Sequence, residues 1–159
     1  MNSSFENKQI RHMDRPESEF TDKVVEIKRV SKKTKGGNQI SFTALVVTGD
    51  KKSRVGVGHA RAKSVADAIA KAIQKGRKSI MTINIINGTI ADSIKLKFKG
   101  AIILIRPGKQ GSGLIAGGPV RSVVELAGIK DIVSKVIGSK TKSVNVWATF
   151  KALEQFKKN

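Results

Sequence analysis

The chain has 159 residues, of which 39% are hydrophobic but only 4% aromatic, and it carries 31 Lys and Arg against 12 Asp and Glu, a net charge of +19. The absence of cysteine excludes disulfides, thiolate metal sites and cysteine nucleophiles. The longest purely aliphatic run, residues 101–105, is far too short to span a bilayer, and residues 1–20 lack the basic-then-apolar layout of a signal peptide.

Residues 1–20 hold 3 basic and 4 acidic side chains and read as a flexible, polar tail with Pro16 and no usable period. The charge lies beyond it: 15 basic against 5 acidic in residues 21–92, and 13 against 3 in residues 93–159. Residues 23–33 predict a strand, with Val25 and Ile27 among charged neighbours, and Lys35-Gly36-Gly37-Asn38 predicts a turn. In the next strand Ile40, Phe42, Ala44 and Val46 share one face at period 2. Gly49-Asp50-Lys51-Lys52 turns the chain, and residues 54–59 give a third strand with Val55 and Val57 inward. A helix follows, capped by Ser64, with Asp67 in its first turn and an apolar stripe of Val65, Ile69, Ala72 and Ile73. Lys71, Lys75 and Lys78 lie off that stripe. One helix on a three-stranded meander is a small α+β domain, residues 21–88.

The second domain, residues 89–159, opens with a hairpin of residues 94–99 and 101–106 about Gly100, on which Lys95, Lys97 and Lys99 alternate with Ile94, Leu96 and Phe98. A glycine-rich loop spans residues 108–118, and Pro119 suits the first turn of a helix ending at Leu126. Residues 131–137 read as a short strand. Ser143 then caps an amphipathic closing helix over residues 144–156.

An excess of cations in both halves attracts polyanions, above all nucleic acid. The basic turn of residues 29–38 is the strongest local signal. Its cations repel one another in the free protein, and phosphates would neutralise them with release of counterions; the bland alternative is a solvated edge that resists aggregation. Residues 55–61 and Lys63 bring cations and backbone amides to the start of the helix, a place that suits anions. Gly56 and Gly58 read as packing glycines there. Gly111-Ser112-Gly113-Leu114-Ile115-Ala116 fits a relaxed dinucleotide pattern with Asp131 at a suitable distance, but the strands before it read as a hairpin. His12 and His59 are the only imidazoles; the first lies in the tail and the second beside a basic turn with no carboxylate near it in sequence, so neither reads as part of a catalytic dyad or a metal site. Trp147 reads as core or interface. The chemistry is that of a non-catalytic RNA binder without cofactor or metal; a free-standing RNA chaperone and a nucleotide-binding enzyme built on residues 108–118 stand as alternatives.

The run Arg29-Val30-Ser31-Lys32, Lys35-Gly36-Gly37, Phe42-Thr43-Ala44-Leu45, Gly49-Asp50 and Arg54-Val55-Gly56-Val57-Gly58 resembles the signature of bacterial small-subunit ribosomal protein family five. The second half also matches, in Gly111-Ser112-Gly113-Leu114-Ile115-Ala116-Gly117-Gly118, Arg121, Glu125-Leu126-Ala127-Gly128-Ile129, Gly138-Ser139 and Ala148-Thr149. The likeness covers residues 21–155. Asn38 stands where the family usually has a basic residue, Lys51-Lys52-Ser53 replaces a more glycine-rich turn, and Thr141 stands where asparagine is more common.

The resemblance implies an α+β protein: a double-stranded-RNA-binding-like β-β-β-α domain, then a second small α+β domain with a left-handed βαβ-type unit. It implies a cytoplasmic, ribosome-bound structural constituent of the small subunit, in contact with small-subunit rRNA, near entering mRNA and beside the neighbouring small-subunit proteins of families four and eight. Subunit assembly, decoding accuracy and helicase action on incoming mRNA follow from the same likeness, as does proximity of residues 31–37 to the rRNA helix that binds spectinomycin. The expected rRNA-binding residues are Arg29, Ser31, Lys32, Lys33, Lys35, Gly36, Gly37, Asn38, Arg54, His59, Arg61 and Lys63 in the first domain. Arg106, Lys109, Arg121 and Lys140 are expected in the second.

Overall fold

In the computed structural model residues 19–157 are described, so His12 and residues 1–18 of the expected tail lie outside the described residues. Strands β1 (Thr21–Thr34) and β2 (Gly37–Gly49) form a long antiparallel hairpin, followed by β3 (Arg54–Ala62), helix α1 (Val65–Lys78) and β4 (Met81–Thr82). The sheet order is β1-β2-β3-β4, one strand more than the expected meander. Strand β4 pairs only with Arg54 and Val55, too short a stretch to show a period.

Strand β2 is buried on both faces. Ala44 and Val46 pack with Ala60 under Ala68 and Ala72 of α1, whereas Leu45 and Val47 join Val55 and Val57 on the opposite side. The two valines of β3 thus point inward, but away from the helix. The expected face of β2 ends before Ile40, which is 40% exposed, because β3 stops opposite Phe42.

Helix α1 begins as expected at Ser64, whose Oγ accepts from the Asp67 N–H at 3.1 Å. Its buried line is Ala68, Ala72 and Gly76, and Val65 is left exposed. The glycines of β3 explain the shift. A Cβ on Gly58 would overlap the Ala72 carbonyl and lie 2.6 Å from the Gly76 nitrogen, and one on Gly56 would meet the Gly76 carbonyl. Helix and strand touch backbone to backbone, and only alanine and glycine fit between them.

The second half contains β5 (Ile94–Phe98), β6 (Ala101–Pro107), β7 (Leu114–Ile115), α2 (Gly118–Ala127), β8 (Ile132–Gly138) and α3 (Lys142–Glu154). Strands β5 and β6 are the expected hairpin, turned by Lys99 (φ 51°) and Gly100. The sheet order is β5-β6-β8-β7, with β7 parallel to β8 and α2 connecting them. Helix α3 starts two residues earlier than expected, with Thr141 rather than Ser143 as its cap. It buries Asn145, Val146, Ala148, Thr149, Ala152 and Leu153, a broader surface than one amphipathic stripe, because α2, the second sheet and β3 all pack on it.

One hydrophobic core runs through both halves, from Leu45, Val47, Val55 and Val57 to Ile103, Ile105, Val124, Leu126, Ile132 and Leu153. Backbone bonds cross the same boundary: the Lys51 N–H donates to the Leu126 carbonyl at 3.0 Å and the Asn84 N–H to the Phe156 carbonyl at 2.8 Å. The sheets are therefore held against each other, and what one presents is fixed relative to the other. Among the described residues no helix is long and apolar enough to cross a membrane.

Candidate nucleic-acid interface

The β1–β2 hairpin outruns its sheet. Its register continues to Thr34 opposite Gly37, but β3 ends opposite Phe42, so residues 30–34 and 37–41 project as a two-stranded ribbon. Lys35 and Gly36 make the two-residue tip, Gly37 adopts φ +130°, and the Thr34 Oγ1 donates to the Gly37 carbonyl at 2.7 Å. Every residue from 31 to 40 is exposed. Between Glu26 and Asp50 there is no acidic residue, while Lys28, Arg29, Lys32, Lys33 and Lys35 are all basic. Repulsion along such a ribbon is relieved by an anion alongside it.

Where the ribbon meets the sheet, Lys32, Gln39, Ser41, Arg61, Ala62, Lys63, Asp67 and Lys71 line a cleft of about 520 Å³. The Arg61 Nη2 donates to the Ser41 Oγ at 2.7 Å, which fixes the guanidinium at the edge of the sheet. A second cleft continues from it along α1, past Gln74, Lys75 and Lys78, with Arg61 and Lys71 shared by both. The structure thus brings together Lys32, Arg61 and Lys63 from the expected set. It adds Gln39, Ser41, Lys71, Lys75 and Lys78, which sequence reasoning did not single out for binding. The signal was present in the i, i+4, i+7 spacing of the three lysines on one side of a helix.

The start of α1 is less open than expected. Asp67 both donates its backbone N–H to Ser64 and accepts from the Ser64 hydroxyl at 2.8 Å, so the helix supplies a carboxylate to its own first turn. The cations around it, not its free amides, make the site.

Arg54 stands apart. Its Nε donates to the Asp50 Oδ2 at 2.7 Å, it pairs with Glu19, and its guanidinium lies 4.8 Å from the centre of the Phe20 ring. The Asp50 carboxylate is only 3% exposed and also accepts from the N–H groups of Lys52, Ser53 and Arg54. Burial alone would raise its pKa, but the Arg54 side chain and these three donors together hold it well below the usual carboxylate range. Arg54 is raised in turn, chiefly by Asp50 and then Glu19. This network shapes the β2–β3 turn. A similar tie joins the halves: Lys23 pairs with Glu125 at 2.9 Å, and its hydrogen bond lowers the Glu125 pKa.

His59 lies on the side of the sheet away from α1, in a small cleft with Glu26, Lys28, Thr43, Leu45 and Ser143. It lines a different cleft from Arg61 although the two are only two residues apart and start from the same face of β3, because the Arg61 guanidinium is drawn off to the Ser41 hydroxyl. In the second half Arg106 and Lys140 are not brought together. Arg106 pairs with Val133 near the start of β8, whereas Lys140 lies two residues beyond Gly138 at the strand's other end. Lys109 is exposed in the glycine-rich loop and Arg121 on α2.

That loop is not built as a dinucleotide site. Gly111 and Gly113, at φ +84° and +71°, precede β7, whereas the pattern needs its glycines between a strand and the helix that follows it. Asp131 accepts from the Gly113 N–H at 2.8 Å, and the Ile132 N–H donates to the Gly113 carbonyl at 3.1 Å. The acidic residue that would meet a ribose is spent on holding the loop against β8.

Two protein-family descriptions match the chain in order: "Ribosomal protein S5, N-terminal domain" over residues 20–84 and "Ribosomal protein S5, C-terminal domain" over residues 96–159. The chain is 46% identical over 139 residues to the small ribosomal subunit protein uS5 of Campylobacter jejuni strain RM1221, covering 87% of this chain and 95% of that one. It is 42% identical over 139 residues to the protein of the same name from Treponema pallidum strain Nichols, covering 87% and 81%. With that of Mycoplasmopsis agalactiae it shares 46% identity over 141 residues, covering 88% of this chain and 61% of the other.

Proposed function

The chain belongs to the ribosomal protein S5 family, and from that membership we infer that it is a structural constituent of the small ribosomal subunit, binding rRNA and catalysing no reaction. The observation that carries the mode of binding is the acid-free ribbon leading into the paired clefts around Arg61. A two-stranded ribbon and a rim of lysines track a backbone by charge and shape, which is how double-stranded RNA is mostly read. Arg29, Ser31, Lys32, Lys33, Lys35, Gly36, Gly37 and Asn38 form the ribbon's contact surface, and Arg61, Lys63, Lys71, Lys75 and Lys78 form the cleft's. Arg54 serves by holding the β2–β3 turn, and His59 faces a different neighbour from Arg61. In the second unit, residues 89–159, Lys109 and Arg121 act beside the glycine-rich loop, while Arg106 and Lys140 reach separate contacts.

The family resemblance extends this reading to assembly of the subunit, decoding accuracy, a position near entering mRNA, and contact with neighbouring small-subunit proteins of families four and eight. It also makes the protein ribosome-bound in the cytoplasm. Cross-linking of protein to RNA in isolated small subunits, read by peptide mass spectrometry, tests the mode of binding. Adducts are expected on peptides from residues 29–38 and 61–78; adducts confined to the second half would contradict it.

A further inference from the structure

Helix α1 rests on the first sheet mainly through small residues. Ala44, Val46 and Ala60 of the strands meet Ala68 and Ala72 of the helix, and the close approach at Gly58 leaves no room there for larger side chains. The large apolar residues lie to one side instead. Val65, Ile69, Ile73 and Arg77 form one row at i, i+4 spacing, and the Arg77 Nη2 donates to the Asp22 Oδ2 at 3.1 Å, so the row runs along β1. On that strand Val24 and Ile27 pair with Val46 and Ala44 and share their face of the sheet. Val24 is 42% exposed, Ile27 44% and Val65 36%, and none of the three belongs to either core cluster or packs against one. From the Asp22–Arg77 pair at one end to Arg29 at the other, this face carries no charge.

We propose that this face is the docking site of the chain's own leading segment, residues 5–13, through Phe5, Ile10 and Met13. The inference does not rest on the small-subunit reading. The described chain begins beside the face: Glu19 pairs with Arg54, and Arg54 lies at the Asp22 end of the sheet, because Gly49 is the register partner of both Thr21 and Val55. Pro16-Glu17-Ser18 has the composition of a turn that sends the chain back along β1. Reach is ample, since the 18 residues before Glu19 extend to about 60 Å, whereas the strand from Asp22 to Arg29 spans only about 23 Å. A segment tethered this closely acts at an effective concentration of about a millimolar, so a few apolar contacts suffice to hold it. RNA is the poorer occupant. An uncharged aliphatic face offers phosphate no cation, and the one ring that a base could stack on, Phe42, is partly buried against the alanines under α1.

The test places a photoreactive p-benzoylphenylalanine at Phe5, and separately at Ile10, in the purified full-length chain. Irradiated products are separated into monomer and covalent dimer, digested and read by peptide mass spectrometry. Both probes are expected to cross-link within the monomer, to peptides containing Val24 and Ile27 or Val65 to Ile73. Ile27→Glu and Val65→Glu, made separately, are each expected to lower the yield of those adducts about tenfold. Both positions are exposed, a carboxylate suits the first turn of α1, and circular dichroism checks that the fold is kept. Adducts found only in the dimer would give the face to a second copy. Adducts scattered over both sheets, no adduct at all, or a yield unmoved by either substitution would mean that the segment does not dock. Each of these results overturns the proposal. Adducts to rRNA or to another protein in place of these peptides, when the same chains are probed in isolated small subunits, would overturn it as well.

Discussion

Replacing Lys32, Lys33 and Lys35 together by glutamine removes three cations from the ribbon without touching the core. All three are exposed, and none belongs to an ion pair among the described residues. The fold should not notice: surface substitutions of this kind change stability by no more than about 0.5 kcal/mol each. Binding should change steeply. Each neutralised phosphate contributes about 0.9 to the slope of log affinity against log salt, so loss of three contacts lowers that slope by about 2.7. The same arithmetic gives an affinity loss of up to about 500-fold at 0.1 M monovalent salt, shrinking to about 25-fold at 0.3 M. Fluorescence anisotropy with transcribed small-subunit rRNA, titrated at several KCl concentrations, reads both quantities. A slope altered by less than about 0.5 would mean that the ribbon is a solvated edge and that the phosphates lie elsewhere.

Gly58→Ala sets a methyl against the Ala72 carbonyl and 2.6 Å from the Gly76 nitrogen, so α1 must lift; we expect a loss of about 3 kcal/mol and about 10 °C in Tm by circular dichroism. An unchanged Tm would refute backbone contact between helix and strand. Asp50 has a folded pKa held below its ordinary value of 3.8, so its contribution to stability is complete above that pH and is lost as pH falls below it. Asp50→Asn should cost about 2 kcal/mol at pH 7 and flatten the acid limb of a denaturation series; an acid limb identical to that of the parent would contradict the network. Ser64→Ala should cost about 1 kcal/mol in urea denaturation through loss of the α1 cap, and no change would place the start of the helix elsewhere. Calorimetry with ATP or GTP should show no saturable binding to either the parent or Gly113→Val, and binding present in the first and lost in the second would revive the nucleotide-site reading of the glycine-rich loop.

Much of this was legible in the sequence because local chemistry dictated it. Ser64 with Asp67 announced a helix start, Lys35-Gly36-Gly37 a tight hairpin tip, and the alternation of lysine with Ile94, Leu96 and Phe98 a strand covered on one side. What was hidden depended on partners distant in the chain. Val55 and Val57 look inward in any reading, but only the second half shows which face is inward, because Leu126 and Leu153 lie in the same core. Val65 fits the apolar stripe of α1, yet the glycines of β3 bring the helix so close that the buried line moves to Ala68, Ala72 and Gly76. Thr141 displaced Ser143 as the start of α3 without any side-chain cap bond, so the preference of serine for that place had no hold on it. At the candidate site, the cations of the ribbon could be read from composition. The cleft could not, since Ser41, Arg61 and Lys71 meet only when strand and helix are folded together.

The central claim is that this chain is a built-in part of the small ribosomal subunit. Sucrose-gradient fractionation of the source cell lysate, with the chain quantified by mass spectrometry at increasing salt, tests it most directly. Stoichiometric co-migration with the small subunit, surviving moderate salt, is the expected result. A chain that stays at the top of the gradient, or spreads over all RNA and strips off at low salt, would contradict it.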